Sequence, residues 1–587
     1  MNRILDNINS PRDLKSLSLQ ELTRLCDEIR EQMIIRSSVT GGHVGSNLGM
    51  IEATVALHYV FNSPIDKIVF DVSHQCYTHK LLTGRRSAYT VVSEYGTVSG
   101  FTNPEESEHD IFSIGHTSTA ISLACGLAKA RDLRGESSNI IAVSGDGALS
   151  GGEAFEGLNN AAVLESNIII LINDNNMSIA ENHGGIYKNL ELLRSTDGKA
   201  ECNIFRALGF EYKFISDGNN LVEVVKILSE VKNTERPVVV HMCTEKGRGY
   251  RFSENDKEKW HYMPPFDIAS GEPNYKADAS ETYENLTRDF LIKKMSENSD
   301  IVAVTAGTPK ILGFDKKLRE QYSNQFTDVG IAEEHAVAYI SGIAKNGSKP
   351  VFGVSSTFLP RTYDQLSHDL ALNKSPAVIL VFFAGISCGS QTHMGVFDIP
   401  LIMSIPNVIY LAPTCREEYI DMLEWSIEQS SYPVIIRIPE IYTSSRNVKL
   451  LHEYNFPAKY EIVKQGNDVA VLALGGFFEL GLKITEKLKT EHEINAALIN
   501  PRYINSLDEK MLKSLADNKF KLIVTLEDGV LDGGFGEAIA GFYGKTHIKI
   551  LNFGAKKEFV NHISALEQYR KYHLTVEQIA ADILAEL

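Results

Sequence analysis

The 587-residue sequence has no run that approaches the roughly 18 consecutive apolar residues of a membrane-spanning helix. Its first residues also lack the apolar core of a secretion signal. Long basic runs are missing too, because 58 lysine and arginine residues stand against 75 acidic ones, for a formal charge of −17. This balance argues against a nucleic acid or an anionic membrane as the main ligand. A bound phosphate group would therefore need a local arrangement of cations or hydrogen-bond donors to balance its charge.

Cysteine is scarce and follows no pattern. The seven cysteines are far apart in the chain, and no two of them form a C-x-x-C pair. An odd number without such pairs argues against both a disulfide framework and a zinc module. We therefore expect a reducing, cytoplasmic environment.

What the sequence does contain is typical of a globular chain, with 43% hydrophobic and 23% charged residues. Short apolar runs rich in valine and isoleucine alternate with longer helical patterns, which favours mostly parallel sheets covered by helices, an α/β fold. Polar connections near residues 269–284 and 448–459 predict three domains, at residues 1–275, 285–447 and 460–587. The expected buried strands are Asn139–Val143, Asn167–Ile172, Pro237–Met242, Ile301–Thr305, Val351–Ser355, Ala377–Phe383, Val408–Leu411, Pro433–Ile438, Val469–Leu474, Asn495–Ile499, Leu522–Leu526 and Ile548–Leu551.

The most informative segment runs from Asn139 to Ile179 and reads as strand, glycine-rich turn, helix, strand and polar turn. Because a parallel βαβ unit brings the carboxyl ends of its strands to one edge, Asp146 and Asn175 can meet there. A carboxylate and an amide oxygen suit Mg2+, which prefers oxygen ligands and keeps positions for diphosphate oxygens. The segment therefore predicts a metal-bridged diphosphate site.

The glycines of this segment support the same interpretation. Gly145 and Gly147 allow the backbone to turn tightly, and a helix that starts near Glu153 points its N-terminus at the same edge. The alternative is that each motif is an ordinary turn, as isolated copies usually are. The segment is neither a P-loop nor a dinucleotide fingerprint, since it lacks Gly-Lys-Ser/Thr and the G-x-G-x-x-G spacing. A nicotinamide dehydrogenase is therefore disfavoured.

The GDG and NDN motifs together are similar to the signature of thiamine-diphosphate (ThDP) enzymes. Further motifs, in order along the whole chain, resemble the 1-deoxy-D-xylulose-5-phosphate synthase family. They lie at Gly41–Gly49, Asp71–Arg85, Ser113–Thr119, Lys246–Tyr250, Asp328–Val337, Ser356–Gln365, Gln391–Asp398 and Leu526–Gly536.

The resemblance implies a transketolase-like fold, ThDP and Mg2+ as cofactors, and a homodimer. Its three domains would bind the diphosphate and metal (1–275), bind the aminopyrimidine (285–447), and form the C-terminal transketolase-like domain (460–587). The family is a transferase that joins pyruvate to glyceraldehyde 3-phosphate, releases CO2 and forms 1-deoxy-D-xylulose 5-phosphate, an isoprenoid precursor. Small-molecule substrates are the expected partners, with neither nucleic acid nor membrane.

Glu333 resembles the family's glutamate, whose carboxyl group hydrogen-bonds to the aminopyrimidine so that this ring can remove the reactive proton of the cofactor. It lies at the mouth of an apolar helix, where partial burial would raise its pKa. The alternative is an ordinary acid at a helix N-terminus. Phe358 resembles the aromatic ring that stacks on the aminopyrimidine, and its alternative is an ordinary core phenylalanine.

The resemblance assigns further roles. Imidazoles that line the substrate channel can relay protons to substrate oxygens, and the family match gives this role to His43, His261 and His393. His74 and His79 alone would also fit a metal site. The implied cofactor-binding residues are His74, His79, Gly115, His116, Thr117, Gly145, Asp146, Gly147, Ala148, Asn175, Met177, Lys246, Phe358 and Arg361. Of these, Asp146, Asn175 and Met177 would hold the metal, while Ser46, Ser355 and Arg437 would contact substrate.

The sequence departs from the family on the acceptor side of the site. Phe383 stands where the family has an arginine, Ser355 where it has a tyrosine, and Glu440 where it has a second arginine. The loop that contains Cys388 is one residue shorter and lacks its acidic residue, and the stretch after Asn182 is tens of residues shorter.

These changes predict a weaker hold on the acceptor phosphate. Loss of a bidentate arginine–phosphate pair costs roughly 2–5 kcal/mol, or about 30- to 4,000-fold in affinity. Arg437 would be the main remaining cation, with Arg361 a possible helper. The alternatives are therefore a specialised paralogue or transketolase-type enzyme with another donor or aldehyde, and a non-catalytic ThDP-binding protein. The three retained residues Asp146, Asn175 and Glu333 argue against the last.

Overall fold

The computed structural model describes residues 3–275, 281–387, 390–438, 442–518, 520–561 and 563–587. The chain divides into two compact units, residues 1–278 with 330–332 and residues 279–329 with 333–587. Each unit is built of mostly parallel sheets covered by helices, so the predicted α/β class is confirmed. In these ranges, none of the helices combines the length and the apolarity needed to cross a membrane.

The first unit has one parallel sheet with the strand order β1-β2-β3-β5-β4. Gly145 at the end of β2 lies opposite Asn173 of β3, so the two strands end side by side. The strands are β1 Lys67–Phe70, β2 Ile140–Gly145, β3 Ile169–Asp174, β4 Glu211–Ile215 and β5 Val238–Cys243.

Helices cover both faces of this sheet. Its helices are α1 Leu19–Thr40, α2 Val44–Gly49, α3 Ile51–Val60, α4 Tyr77–Leu82, α5 Ser87–Thr90, α6 Ala120–Leu133, α7 Gly152–Ala161, α8 Gly185–Ser195, α9 Ile204–Leu208, α10 Leu221–Val231 and α11 Arg251–Asn255. Successive residues of a strand point to opposite faces. Ile141 and Val143 accordingly pack in one core with α1, α3 and α10, whereas Ile140 and Ala142 pack in another with α6, α7 and α8. Burial on both faces explains why β2 and β3 read as continuous apolar runs.

The second unit holds two sheets. The first is parallel, with the order β10-β11-β9-β8-β6-β7, and the second has the order β12-β14-β13-β15-β16, in which β12 is antiparallel to β14. The strands are β6 Ile301–Thr305, β7 Phe326–Asp328, β8 Lys349–Ser355, β9 Val378–Phe382, β10 Ile409–Leu411, β11 Val434–Arg437, β12 Glu461–Lys464, β13 Val469–Ala473, β14 Ala497–Asn500, β15 Leu522–Val530 and β16 Lys549–Ala555. The helices are α12 Tyr283–Glu297, α13 Lys316–Gln321, α14 Glu333–Lys345, α15 Asp398–Met403, α16 Arg416–Glu428, α17 Phe478–His492, α18 Glu509–Asp517, α19 Phe535–Tyr543, α20 Ala565–Lys571 and α21 Val576–Glu586.

All of the expected strands are present; β6 has the expected ends, and the ends of the others differ by at most four residues. Four further strands, β1, β4, β7 and β12, were not expected. β4 and β12 are edge strands that are only partly buried, so polar residues interrupt their apolar pattern, while β1 and β7 are short. The expected boundaries of three domains stay a prediction.

Candidate functional site

Two turns at the carboxyl ends of β2 and β3 contact each other in the first unit. Asp146 opens a 3-10 turn directly after β2 and is 1% exposed. Its Oδ2 accepts hydrogen bonds from the backbone N–H of Met177 at 3.1 Å and from Nδ2 of Asn182 at 2.7 Å. Asn175 follows β3, and its Oδ1 is buried without a hydrogen-bond partner among the described residues. The βαβ arrangement therefore brings the expected oxygen ligands to one edge.

The electrostatics of this edge fit a bound cation. Burial, and then the charge of Asp174, raise the pKa of the Asp146 carboxyl, so that its hydrogen bonds and the charge of Lys246 only partly compensate its ionised form. Lys246 is 2% exposed, donates from Nζ to the carbonyl of Ser178 at 2.6 Å, and has a pKa lowered by burial to about 8. Carboxylate and amide oxygens are the ligands that Mg2+ prefers.

Further buried polar atoms beside this edge fit a metal-bound anion, because the hydroxyl of Ser178 can donate to a phosphate oxygen, whereas the amide oxygen of Asn182 can only accept and suits a cation. Oγ of Ser178 and Oδ1 of Asn182 are buried and have no hydrogen-bond partner within the part of the chain that the structure describes. Buried polar atoms are normally satisfied, so unsatisfied ones beside the expected metal ligands fit a bound group. The residues present thus fit a metal-bound diphosphate.

The turn that contains Gly115, His116 and Thr117 is held at the same end of the sheet. Asp71, directly after β1, accepts the backbone N–H groups of Ser118 at 2.8 Å and Ala120 at 3.1 Å. Ser118 has a φ of 78° and donates from Oγ to the carbonyl of Ala148 at 2.9 Å. Residues 115–117 are therefore fixed beside the glycine-rich turn. Asp71 was not singled out from the sequence, although it begins the motif Asp71–Arg85 that carries part of the family resemblance.

Three of the expected histidines form a cluster in the first unit. The ring centroid of His43 lies 5.1 Å from that of His74 and 5.5 Å from that of His261, and the centroids of His74 and His261 are 5.3 Å apart. Ser46 Oγ lies 3.1 Å from Nε2 of His74. The structure thus brings together residues that were expected to contact the substrate, namely His43, His261 and Ser46, and one that was expected to contact the cofactor, His74. Two aromatic neighbours of His43 that sequence reasoning missed are Phe101 and Tyr262.

His79 lies in a different environment from the one expected. Its ring is fully buried, with Nδ1 at 2.9 Å from Nε2 of His58 and Nε2 at 2.8 Å from Oδ1 of Asp110. Arg85 in turn donates to both carboxylate oxygens of Asp110. Both ring nitrogens of His79 are therefore engaged within the protein, and these contacts do not support the expected role on the diphosphate.

A cluster of Asp174, His241 and Cys243 has the residue types of a metal site, with ligand atoms within 4.8 Å of one another. The existing contacts argue against this use. His241 is bonded at Nε2 to Asp174 and at Nδ1 to the hydroxyl of Tyr212, both at 2.8 Å, and Arg194 neutralises Asp174. The group is an internal ion-pair network.

Glu333 begins α14 in the second unit and is 3% exposed. Burial raises the pKa of its carboxyl to about 7, against the opposing charge of Arg361. Nη1 of Arg361 is 3.7 Å from Oε2, and this oxygen accepts no hydrogen bond from the described residues. The predicted rise of this pKa is confirmed. Glu333 also lies in the first turn of the helix, as its alternative has it, so its role on the cofactor stays a prediction. Such a carboxyl can hold a proton near neutral pH and share it with a ring nitrogen.

Phe358 and His393 lie together in the same unit. Phe358 follows β8, is partly buried and packs against the core of the second unit, so its stacking role stays a prediction. Its ring centroid is 5.8 Å from that of His393, and the rings are nearly perpendicular at 81°. Ser355, at the end of β8, is half-buried.

Arg437 is 1% exposed and its charge is already balanced. Its Nε donates to Oδ2 of Asp398 at 2.6 Å and its Nη2 to Oδ1 at 3.3 Å, while Nη1 bonds Asp528. These contacts do not support its expected role as the main cation for an acceptor phosphate. Phe383, by contrast, has a φ of 55° and a side chain that is 40% exposed at the end of β9. Glu440 and the shortened Cys388–Gly389 loop lie outside the described residues.

Comparisons with known proteins agree with this arrangement. Residues 5–202 and 196–244 match the family described as 1-deoxy-D-xylulose-5-phosphate synthase. Residues 280–444 match the transketolase pyrimidine-binding domain, and residues 458–579 match the transketolase C-terminal domain.

The chain is 38% identical to the 1-deoxy-D-xylulose-5-phosphate synthase of Caldanaerobacter subterraneus subsp. tengcongensis over 624 aligned residues, which cover 99% of each protein. It is 37% identical to that of Clostridium acetobutylicum over 627 residues, covering all of both. A transketolase structure from Pichia stipitis aligns with a TM-score of 0.45 and 17% identity, over 96% of this chain and 97% of that one.

Proposed function

Since the chain belongs to the 1-deoxy-D-xylulose-5-phosphate synthase family, we propose that it is a ThDP- and Mg2+-dependent transferase that joins pyruvate to an aldehyde and releases CO2. In the reaction of this family, the acceptor is glyceraldehyde 3-phosphate and the product is the isoprenoid precursor 1-deoxy-D-xylulose 5-phosphate. The observation that carries the proposal is the combination of the buried carboxylate of Asp146 and the buried amide oxygen of Asn175, after β2 and β3, with a buried Glu333 whose pKa is raised to about 7.

The diphosphate half of the proposal concerns the first unit. Asp146, Asn175 and Met177 would hold Mg2+, and the ammonium group of Lys246 would balance diphosphate charge. The support is the unpaired Asn175 Oδ1 together with the buried carboxylate of Asp146. Residues 115–117 and Ala148, fixed next to one another, would contact the same ligand.

The pyrimidine half concerns the second unit. When bound, ThDP supplies the nucleophilic carbon of the reaction. Glu333, whose pKa is raised to about 7, would hold a proton at its carboxyl and share it with the pyrimidine ring, since Oε2 is buried without a hydrogen-bond partner among the described residues. Phe358 offers a flat apolar face for stacking, and Arg361 offsets part of the charge of Glu333.

The histidines would move protons at substrate oxygens. The ring centroids of His43, His74 and His261 lie 5.1 to 5.5 Å from one another, so one small ligand could contact all three imidazoles. In the second unit, His393 would keep the proton-relay role that the family resemblance gives it. Ser46, bonded to His74, would orient that imidazole.

We also propose a cytoplasmic homodimer. The support for a reducing compartment is that six described cysteines, Cys26, Cys76, Cys125, Cys202, Cys243 and Cys415, are free thiols. Light scattering of the purified chain tests the dimer, and a monomeric mass at micromolar concentration would contradict it.

An assay with pyruvate and glyceraldehyde 3-phosphate tests the proposed reaction. CO2 release and the mass of the product are followed with and without ThDP and Mg2+. The proposal expects one CO2 for each ketose formed, and loss of both when either cofactor is omitted. Failure to consume pyruvate with any aldehyde, while ThDP still binds, would contradict it and favour a non-catalytic ThDP-binding protein.

A second candidate keeps the cofactors but uses an acceptor that carries no phosphate. What favours it is Arg437, whose guanidinium is already bonded to Asp398 and Asp528. Because two carboxylates face one guanidinium, this group brings no net positive charge to an incoming phosphate. The exposed ring of Phe383 offers an apolar contact instead.

Matched acceptors separate the two candidates. Glyceraldehyde 3-phosphate and D-glyceraldehyde differ only in the phosphate group, so their kcat/KM ratio reports its contribution. An ordinary family enzyme would favour the phosphorylated form by about 30- to 4,000-fold. The second candidate expects this preference to be lost, with ThDP binding unchanged, and a strong preference for the phosphorylated acceptor would reject it.

A further inference from the structure

Helix α8, Gly185–Ser195, contacts both turns that carry the proposed metal ligands. At its first turn, the hydroxyl of Tyr187 lies 3.1 Å from the carbonyl oxygen of Asp146 and 3.3 Å from that of Gly147, where it can donate. At its last turn, Arg194 reaches the residues around Asn175. Seven residues make about two turns, so both side chains project from one face, about 10 Å apart along the axis.

Arg194 holds the residues on both sides of Asn175. Its Nη1 donates to Oδ1 and Oδ2 of Asp174 at 2.8 and 2.6 Å, and its Nη2 donates to Oδ1 of Asn176 at 3.1 Å. Asp174 Oδ1 also accepts the backbone N–H of Asn176 at 3.1 Å. Asn176 has a φ of 58°, a left-handed conformation that needs such local bonds in a non-glycine residue. One guanidinium therefore fixes the turn that presents Asn175.

The other end of this network is anchored in the sheet. His241 on β5 bonds Asp174 through Nε2, and Tyr212 on β4 bonds Nδ1 of the same ring. Asp174 is thus held from the sheet by His241 and from α8 by Arg194. The planar fork of arginine suits this arrangement, in which Nη1 donates to Asp174 and Nη2 to Asn176, and a lysine can replace it only in charge.

We propose that Arg194 is a positioning residue, which holds the Asn175 turn at the distance from Asp146 that Mg2+ requires, and that Tyr187 holds the Asp146 turn from the same helix. The inference rests on the proposed function, because it assumes that Asp146 and Asn175 are metal ligands. Mg2+ demands near-ideal octahedral geometry, whereas Ca2+ accepts flexible geometries with longer bonds. A loosened Asn175 turn should therefore weaken Mg2+ binding more than Ca2+ binding.

The test compares two metals in the full-length protein. Apparent dissociation constants for Mg2+ and for Ca2+ are measured by calorimetry at saturating ThDP for wild type, Arg194→Met, Arg194→Lys and Lys188→Met. Arg194→Met should raise the Mg2+ constant about 10- to 100-fold, as loss of a partner of a metal ligand typically does, and the Ca2+ constant by less. Arg194→Lys should be intermediate. Lys188→Met removes an exposed charge from the same helix and should match wild type.

The ratio of the two constants separates positioning from a general structural role. A folded Arg194→Met variant with the wild-type Mg2+/Ca2+ ratio would overturn the inference while leaving the proposed function intact. If that variant fails to fold, Tyr187→Phe, which keeps every charge, should shift the ratio in the same direction, and an unchanged ratio there overturns the inference equally. If the wild-type protein instead binds ThDP without any metal, both the proposed site and this inference are overturned.

Discussion

Replacement of Glu333 by glutamine is expected to stabilise the cofactor-free protein at alkaline pH. The carboxyl is buried, and its pKa rises from 4.5 to about 7 on folding. Because the folded state binds this proton more tightly than the unfolded chain, stability is highest below pH 4.5 and falls as the pH rises towards 7. Glutamine has a similar shape and no charge, so the variant should not show this loss.

The pKa difference sets the size of the effect. A rise of the pKa from 4.5 to about 7 corresponds to about 3 kcal/mol of stability that wild type loses between those pH values. Above pH 7 the variant should therefore be more stable than wild type by up to about 3 kcal/mol. Near pH 4.5 most of this advantage should disappear, since the carboxyl is then protonated in the folded protein.

Urea unfolding of the cofactor-free proteins at pH 5 and pH 8 provides the measurement. Glu334→Gln is the matched control, because it removes the neighbouring, less buried carboxyl from the same helix turn. It should change the pH dependence only slightly. A Glu333→Gln variant whose stability relative to wild type is the same at both pH values would refute the reasoning, since Glu333 would then titrate as an exposed acid does.

Two further variants test other parts of the structure. Asp146→Ala should abolish the thermal stabilisation that ThDP gives in the presence of Mg2+, and an unchanged melting shift in a folded variant would reject the diphosphate site. Asp528→Ala should destabilise the second unit by about 1–3 kcal/mol in urea unfolding, because it leaves Nη1 of the buried Arg437 without its hydrogen-bond partner while Asp398 still balances the charge. A loss below 1 kcal/mol would show that Asp398 alone satisfies this guanidinium.

Much of the fold could be predicted because its strands are buried on both faces. Such strands read as continuous apolar runs, and their parallel pairing follows from the helices between them. The edge strands β4 and β12 escaped prediction because one side of each is only partly covered and carries polar residues. Their placement is decided by tertiary pairing, which local patterns do not record.

The site could be predicted where chemistry and topology coincide. Asp146 and Asn175 follow neighbouring parallel strands, so their proximity follows from the βαβ rule. The burial of Glu333 follows from the apolar helix that it begins.

Contacts between distant segments could not be predicted. Asp398 and Asp528 are 39 and 91 residues from Arg437, and no local pattern indicates that both neutralise it. The pairing of His79 with His58 and Asp110 is similarly non-local, over 21 and 31 residues. In both cases the sequence identified the residue but not its partner. It therefore could not tell whether Arg437 or His79 is available to a ligand.

The exchange rate of the C2 proton of bound ThDP tests the central claim most directly. Wild type and Glu333→Ala are loaded with ThDP and Mg2+, and proton–deuterium exchange is followed by NMR. The account predicts that the variant still binds the cofactor, since the diphosphate ligands lie elsewhere, but exchanges the proton slower by orders of magnitude. A variant that binds ThDP and exchanges at the wild-type rate would contradict it.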